Sequence, residues 1–375
     1  MEQGQLQEGF KLAEYQIICK LGEGRFGTVY KAQNGKHQKF AIKCAHDSSD
    51  ETVNQAEVKT LKHLSEHKNI VTVHDFILSQ NNKYIYVVME FCDGGDLNSY
   101  LVHHNPNLTE RFHYMIDMAR GVNYLHSMNV MHRDLKPQNI LLAEGNERYI
   151  CKISDFSMAK IRKKSGKYFT TQCGTPAFQA PEVDSGRYTY SADVFSLGVV
   201  YFAMAAGTIV TSGRDSYITP FVMIDNEQQP LTSIIRRNIL DVDNFVKRHF
   251  STCPVLGHIV CEMISLDPAK RPMMDMVLIR VSEARGRSLS TRQSAIFRSD
   301  ALVQKLQELE RLLSADKLQS GMGTFEDDAV DGEIHVISLT KFLTKEELAD
   351  VRRDEGHIGV SGDVTRRLDS AVRKS

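Results

Sequence analysis

One short loop of the chain carries a carboxylate, a lysine and an amide at close spacing: His132-Arg133-Asp134-Leu135-Lys136-Pro137-Gln138-Asn139. Transfer of a phosphoryl group needs such a set: an acceptor for the proton of the attacking hydroxyl, a cation beside the moving phosphate, and an oxygen ligand for magnesium. Asp134, Lys136 and Asn139 are the candidates for these roles. Because the residue types must fall at fixed offsets, the loop indicates phosphoryl transfer even before its surroundings are considered.

A glycine-rich stretch near the N-terminus could bring backbone N–H groups close to phosphate oxygens: Gly22-Glu23-Gly24-Arg25-Phe26-Gly27. On its own this spacing is a weak signal, because dinucleotide-binding turns share it. Here the residues that follow, Thr28-Val29-Tyr30, predict a strand and not a helix, which argues against dinucleotide binding. A plain β-hairpin turn is the remaining structural alternative.

A lysine in the next strand, Ala41-Ile42-Lys43, is the candidate cation for the α and β phosphates. A buried lysine needs a counter-charge to stay protonated and fixed in place. Glu57, on the helix that follows, is the best partner, because Leu61 lies one turn later on the same face. If Lys43 and Glu57 were an isolated pair, we would interpret them as two unrelated surface charges. The order of these motifs along the chain favours an ion pair between them.

The elements that must position these residues fall into two parts. Short β-branched and aromatic runs predict a β-rich segment from Tyr15 to Val88 that contains one main helix. From Leu97 to about Val281, apolar residues recur at three- and four-residue intervals and predict a mostly helical segment. The connector 90–95 joins the two parts, and there are no internal repeats.

The composition changes again near the C-terminus. Residues 282–299 are rich in Ser and Arg and are typical of a linker, and 321–333 are acidic, contain Gly and are expected to be disordered. Residues 301–314 carry leucines at a and d spacing, which predicts a short amphipathic helix. The spacing of Thr344 and Glu347 matches a capping box and predicts a last helix.

Bulk properties restrict the class of protein. The 375 residues are 42% hydrophobic and 25% charged with a formal net charge of −1, so we expect a folded protein that binds neither nucleic acid nor membrane. Seven cysteines without metal-ligand spacing favour free thiols. No signal peptide is visible, and the longest mostly apolar run, Leu197 to Val210, is too short to span a bilayer. A cytoplasmic location is expected, with nuclear access left open.

Taken together, these motifs make residues from about Phe10 to Glu283 resemble the eukaryotic protein kinase domain, serine/threonine type. The resemblance implies an α+β, two-lobed fold with a β-rich N-lobe (10–90), a hinge (90–96) and a mostly helical C-lobe (97–283). A partly disordered tail (284–375) would follow, with short helices at about 301–314 and 344–354.

The resemblance also implies ATP and Mg²⁺ as cofactors and a protein as substrate. Asp134 is then the catalytic base and Lys136 contacts the γ-phosphate. Thr175, in Gly174-Thr175-Pro176, contacts the side chains of Asp134 and Lys136, and Asn139 and Asp155 ligate magnesium. The residues expected to surround ATP are Leu21, Gly22, Glu23, Gly24, Arg25, Phe26, Gly27, Val29, Ala41, Lys43, Glu57, Glu90, Cys92 and Leu141. Structural roles are implied for the ion pair Glu182–Arg271 and for Asp193 behind the catalytic loop. An apolar column would join the lobes, formed by His132, Phe156, Leu61 and Phe76.

Asp155-Phe156-Ser157 departs from the family pattern, which has Gly in the third position. Glycine there allows the backbone to flip between active and inactive arrangements. We expect Ser157 to narrow the sampling of inactive states without abolishing catalysis. It is also the feature that supports an alternative, an ATP-binding pseudokinase acting as a scaffold or allosteric partner. A small-molecule kinase is a weaker alternative, because such enzymes lack the Ala180-Pro181-Glu182 segment.

Regulation is expected at the activation segment. Arg133 precedes the catalytic aspartate, and such an arginine usually faces a phosphate. Thr170 and Thr171 are the best candidate acceptors, modified by a regulatory kinase or by autophosphorylation. Residues 209–250 form a connection longer than usual, which is either a docking site for a partner or a decorated loop.

Overall fold

The computed structural model describes residues 6–24, 27–44, 62, 64, 66–79, 84–156, 159–161, 174–186, 188–212, 215–224, 227–237, 241–251 and 253–288. Met1–Gly286 forms one compact unit and Arg287–Ser375 a second, of which residues 287 and 288 are described. The predicted tail helices, Glu57 with most of the main helix of the N-lobe, and Ser157 therefore lie outside the described residues.

The N-lobe is a six-stranded antiparallel sheet with the strand order β1-β2-β3-β4-β6-β5. Its strands are β1 (Lys11–Leu12), β2 (Tyr15–Gly24), β3 (Gly27–Gln33), β4 (Lys39–Cys44), β5 (Val73–Leu78) and β6 (Ile85–Glu90). Tyr15, Tyr30, Phe40 and Ile42 pack in its core, each no more than 5% exposed. Short runs of β-branched and aromatic residues are the pattern that predicted strands here.

The C-lobe is built on helices α1 (Leu97–His103), α2 (Leu108–Ser127), α3 (Ser191–Ala206), α4 (Leu231–Arg237), α5 (Val242–His249), α6 (Pro254–Met263) and α7 (274–288). Asn107 and Glu110 close a capping box at the start of α2. In α3 every residue from Ala192 to Met204 is buried, so this helix is the centre of the lobe. α7 continues past residue 283, where the sequence placed the boundary, and Ala284 is fully buried.

Short strand pairs complete the C-lobe. β7 (Val130–Met131) pairs with β10 (Lys160–Ile161), and β8 (Ile140–Ala143) pairs with β9 (Ile150–Ile153). The long connection after α3 contains two antiparallel hairpins, formed by β11 (Thr208–Ser212) with β12 (Asp215–Thr219) and by β13 (Phe221–Ile224) with β14 (Glu227–Pro230).

The expected α+β architecture, with a β-rich and a helical lobe, is confirmed. Each lobe has its own apolar core. Where the lobes join, a Cβ on Gly94 would lie 2.8 Å from Leu142 Cβ, so only glycine allows the connector to approach β8 this closely. Among the helices that the structure describes, none combines the length and apolar character needed to cross a bilayer.

Candidate active site

The catalytic loop runs between β7 and β8 and is held from behind by Asp193 of α3. The Asp193 carboxylate accepts hydrogen bonds from the backbone N–H groups of His132 and Arg133, both at 2.9 Å. Arg133 has a φ of 71°, a left-handed conformation that is costly for a residue with a Cβ. The two hydrogen bonds hold the loop in this conformation directly before Asp134.

Asp193 keeps its charge although it is 1% exposed. Burial alone would raise the pKa of its carboxyl, but the hydrogen bond and charge of His126, the charge of His132 and the N–H of Arg133 outweigh burial and lower the pKa. The Nε2 of His126 lies 3.0 Å from Asp193 Oδ2. Asp193 is therefore a carboxylate at neutral pH and an acceptor for the loop.

Asp134, Lys136 and Thr175 form a closed triangle of polar contacts. Thr175 Oγ1 donates to Asp134 Oδ1 at 2.8 Å and accepts from Lys136 Nζ at 2.8 Å, while Lys136 Nζ lies 2.9 Å from Asp134 Oδ2. Thr175 comes from a distant segment of the chain. That segment approaches the catalytic loop most closely at Gly174, where a Cβ would lie 2.8 Å from the backbone oxygen of Arg133. The triangle fixes the direction of the base and places a cation beside it.

Asn139 completes this group from the short 3-10 turn Pro137–Asn139. Its Nδ2 donates to the backbone oxygen of Asp134 at 2.7 Å and to Asp134 Oδ2 at 3.1 Å. With the amide nitrogen turned toward Asp134, the side-chain oxygen is the atom able to ligate a cation.

Asp155 follows β9 in a left-handed conformation, with a φ of 59°, and its Oδ1 lies 2.6 Å from Lys43 Nζ. Both side chains are partly buried. Asp155 and Asn139 together offer a carboxylate and an amide carbonyl, the hard oxygen donors that Mg²⁺ prefers, so the residues present fit this metal. The predicted ion pair between Lys43 and Glu57 stays a prediction, because Glu57 is outside the described residues.

The glycine-rich stretch is the turn between β2 and β3. Gly22 pairs with Val29 and Gly24 with Gly27, whose φ of 138° suits glycine. Glu23 lies between them, and Leu21 just before them is 48% exposed. Arg25 and Phe26 are outside the described residues.

The remaining residues predicted to surround ATP come from β4, β8 and the connector. Ala41 is 7% exposed on β4 and pairs with Met89, and Leu141 lies on β8. Cys92 is 7% exposed, and burial raises the pKa of its thiol to about 12. Asp96, just after the connector, caps α1 by accepting from the N–H and hydroxyl of Ser99.

Sequence reasoning missed Lys152 of β9, which holds the connector. Its Nζ lies 2.8 Å from Glu90 Oε1, an oxygen that also accepts from the N–H of Thr72 at 2.6 Å. The signal was available: a lysine between Cys151 and Ile153, both 1% exposed, lies in a buried strand and needs a counter-charge.

The structural residues predicted from the resemblance come together in two places. Arg271 donates to both carboxylate oxygens of Glu182, at 2.6 and 2.9 Å, and its guanidinium lies 4.8 Å from the ring of Phe195. The rings of His132 and Phe156 meet edge to face with centroids 5.4 Å apart.

Phe76 lies on β5, and Leu61 is outside the described residues, as are Thr170 and Thr171. The guanidinium of Arg133 donates to the hydroxyl of Tyr188 at 3.3 Å.

Comparison with known proteins agrees with this geometry. The family model "Protein kinase domain" matches residues 15–280. The chain is 36% identical over 208 residues to "Serine/threonine-protein kinase atg1" of Dictyostelium discoideum, covering 52% of this chain and 31% of that protein. It is 35% identical over 200 residues to "Probable serine/threonine-protein kinase zyg-1" of Caenorhabditis briggsae, covering 53% and 28%.

A longer match is to "Ovarian-specific serine/threonine-protein kinase Lok" of Drosophila melanogaster, 32% identical over 321 residues, with 80% of this chain and 60% of that protein covered. The chain thus spans between about a quarter and three fifths of the length of these curated relatives. With most of its length matched by the family model and a site of this geometry, the chain belongs to the protein kinase family, serine/threonine type.

Proposed function

We propose that this chain transfers the γ-phosphate of ATP to serine or threonine hydroxyls of protein substrates, with Mg²⁺ as cofactor. The observation that carries the proposal is the triangle of Asp134, Lys136 and Thr175, with contacts of 2.8, 2.8 and 2.9 Å. It places a fixed proton acceptor and a fixed cation side by side, which is what phosphoryl transfer to a hydroxyl requires.

In this mechanism Asp134 accepts the proton of the substrate hydroxyl as that oxygen attacks phosphorus. Its carboxylate is 4% exposed and is oriented by Thr175 and Asn139, so little reorganisation is needed during the reaction. Lys136 stabilises the charge of the phosphoryl group in transit. Lys43, whose Nζ lies 2.6 Å from Asp155 Oδ1, orients that carboxylate and would also meet phosphate oxygens.

Asn139 and Asp155 would hold the magnesium ion, which neutralises phosphate charge when bound. Glu90 and Cys92 would present backbone groups to the adenine, and the glycine turn between β2 and β3 would cover the phosphates. Lys152 keeps the connector in place by binding the carboxylate of Glu90.

Phosphorylation of the activation segment is the regulation we propose, by another kinase or by autophosphorylation at Thr170 or Thr171. The supporting observation is Arg133, whose backbone is fixed by Asp193 and whose guanidinium reaches Tyr188. A phosphate would add about −1.5 to −2 charge, a strong partner for this arginine.

Purified chain incubated with Mg²⁺, labelled ATP and dephosphorylated casein tests the proposal. We expect label on serine or threonine, and a loss of about 10²–10⁴-fold in kcat for Asp134→Asn, the range contributed by a general base. Nucleotide binding without transfer by the wild-type chain would instead support the pseudokinase alternative, and transfer in wild type that survives in Asp134→Asn would contradict the assigned base.

Mass spectrometry of the chain after incubation with ATP tests the regulatory part. An activation segment that stays unmodified in a fully active enzyme would contradict it.

A further inference from the structure

The amide of Asn98, on α1, binds the outer edge of strand β12. Its Oδ1 accepts from the backbone N–H of Ile218 at 2.8 Å, and its Nδ2 donates to the backbone oxygen of Ser216 at 3.0 Å. In the β11–β12 hairpin these residues face Ile209 and Thr211. Backbone groups at alternate residues point away from the partner strand, so one side-chain amide satisfies β12 as a neighbouring strand would.

The contact is buried and specific. Asn98 is 4% exposed, and leaving either backbone group without a partner there would cost its desolvation. On the other side, the hairpin packs against the end of α3 at Gly207. A Cβ on Gly207 would lie 2.3 Å from Ala203 O and 2.7 Å from Ile218 Cγ1. The hairpin is therefore fixed from two directions, by α1 and by α3.

From this hairpin a continuous set of contacts leads to the residues beside the acceptor site. Past β12, the backbone oxygen of Pro220 accepts from Leu231 N–H at 2.8 Å, which sets the start of α4. The next residue, Thr232, is 2% exposed, and its hydroxyl donates to the backbone oxygen of Pro176 at 3.3 Å. Pro176 directly follows Thr175 of the catalytic triangle.

A second contact ties α4 to the same part of the chain. Arg236 of α4 lies 2.5 Å from Asp184, which follows the Ala180-Pro181-Glu182 segment. The surface beside Thr175 thus contacts α4, and the start of α4 is bonded to the segment that joins the two hairpins.

The nucleotide side of α1 is held by other bonds. Gly94 N–H donates to Leu142 O at 2.9 Å, and Leu142 N–H donates to Gly95 O at 2.8 Å. These backbone bonds do not involve Asn98, so its removal leaves the floor of the ATP site in place.

We propose that Asn98 is a positioning residue for the polypeptide part of the substrate: through β12, α4 and Pro176 it fixes the surface that receives the chain around the acceptor hydroxyl. The inference rests on the proposed function and adds a specificity determinant to it. Protein substrates, and not ATP, are the ligand whose binding depends on this amide.

Steady-state kinetics of Asn98→Ala tests the inference, with ATP and dephosphorylated casein varied separately. We expect KM for casein to rise about tenfold, the equivalent of one or two net hydrogen bonds, while kcat and KM for ATP change less than about twofold. Asn98→Asp keeps the acceptor for Ile218 N–H but loses the donor to Ser216, so it should not restore the wild-type KM. Gly207→Ala loosens the same hairpin from its other side and should raise KM for casein as well.

Asn69→Ala serves as the matched control for stability. Asn69 is also buried and donates its amide to a backbone oxygen, that of Cys151 at 2.9 Å, but it lies outside the hairpins. It should lower the melting temperature without raising KM for casein.

A fall in kcat with unchanged KM in Asn98→Ala, or an equal rise in KM in Asn69→Ala, would overturn the inference while leaving the proposed function intact. Wild-type protein that transfers no phosphate would overturn the proposed function, and this inference with it. If Asn98→Ala does not fold, the same comparison is made with Asn98→Asp and Gly207→Ala.

Discussion

Replacing Thr175 with Val removes a hydroxyl from the catalytic triangle while keeping the shape of the side chain. The hydroxyl makes one bond to the Asp134 carboxylate and one to the Lys136 ammonium, each 2.8 Å long. A hydrogen bond to a charged group contributes about 1.5–3 kcal/mol. Asp134 keeps its contacts with Lys136 and Asn139, so we assign the loss to one such bond and not to two.

At about 1.4 kcal/mol for each factor of ten, the expected loss in kcat for Thr175→Val is about 10- to 150-fold. KM for ATP should stay within about twofold, since the Thr175 hydroxyl binds Asp134 and Lys136, neither of which is among the residues predicted to surround ATP. Thr175→Ser keeps the hydroxyl and should retain most of the activity. The assay is steady-state transfer to casein with saturating Mg²⁺ and ATP.

Two results would refute this reasoning. A Thr175→Val enzyme with kcat within about threefold of wild type would mean that the triangle is not needed to orient Asp134. Equal losses in the Val and Ser variants would place the effect in packing of the segment and not in the hydroxyl.

Two further predictions concern stability. The Arg271 side chain is fully buried and pairs with Glu182, so Arg271→Met should lower the free energy of unfolding by about 3–5 kcal/mol in urea titrations. The double variant with Glu182→Gln should recover part of the loss, and a double variant no more stable than Arg271→Met would count against an unpaired charge as the cause. Burial, followed by the charges of Lys68, Arg120 and Lys152, lowers the pKa of His67 below 6.5. The native state therefore favours neutral His67. The contribution of neutral His67 to the free energy of unfolding is present above pH 6.5 and is lost as the pH falls toward the lowered pKa. The His67→Phe variant keeps an aromatic ring to stack on Tyr124. Between about pH 7.5 and pH 5.5 its free energy of unfolding, from the same titrations, should fall less than that of wild type. Equal losses would show that His67 is not the titrating group.

Much of the candidate site could be predicted from the sequence because its residues are close in the chain. Asp134, Lys136 and Asn139 fall within one loop, so their spacing alone keeps them within a few residues of one another. The strand character of β2 to β4 was also visible, since their short β-branched and aromatic runs are separated by Gly and Asn turns.

Contacts between distant segments could not be predicted in this way. The pairing of Asn98 with β12 joins residues more than a hundred positions apart, and an isolated Asn in a helix carries no signal of its partner. The sequence of residues 209–250 did not distinguish a docking site from an irregular surface loop, since hairpins of mixed composition have only a weak strand pattern. Lys152 could have been found, because a charge inside an apolar strand implies a partner, but its identity as Glu90 depended on the fold.

The sequence by itself determined the chemistry of this protein: which groups can accept a proton, carry positive charge and ligate magnesium, and the α+β order of the elements that hold them. The family resemblance already implied that Thr175 contacts Asp134 and Lys136 and that Asp193 lies behind the loop. Only the tertiary structure showed that Lys152 binds the Glu90 carboxylate and that Asn98 connects α1 to the hairpins. The physical reason is that residue types and periodicity are local properties, whereas hydrogen bonds between distant segments form only when packing of the core brings their donors and acceptors within about 3 Å.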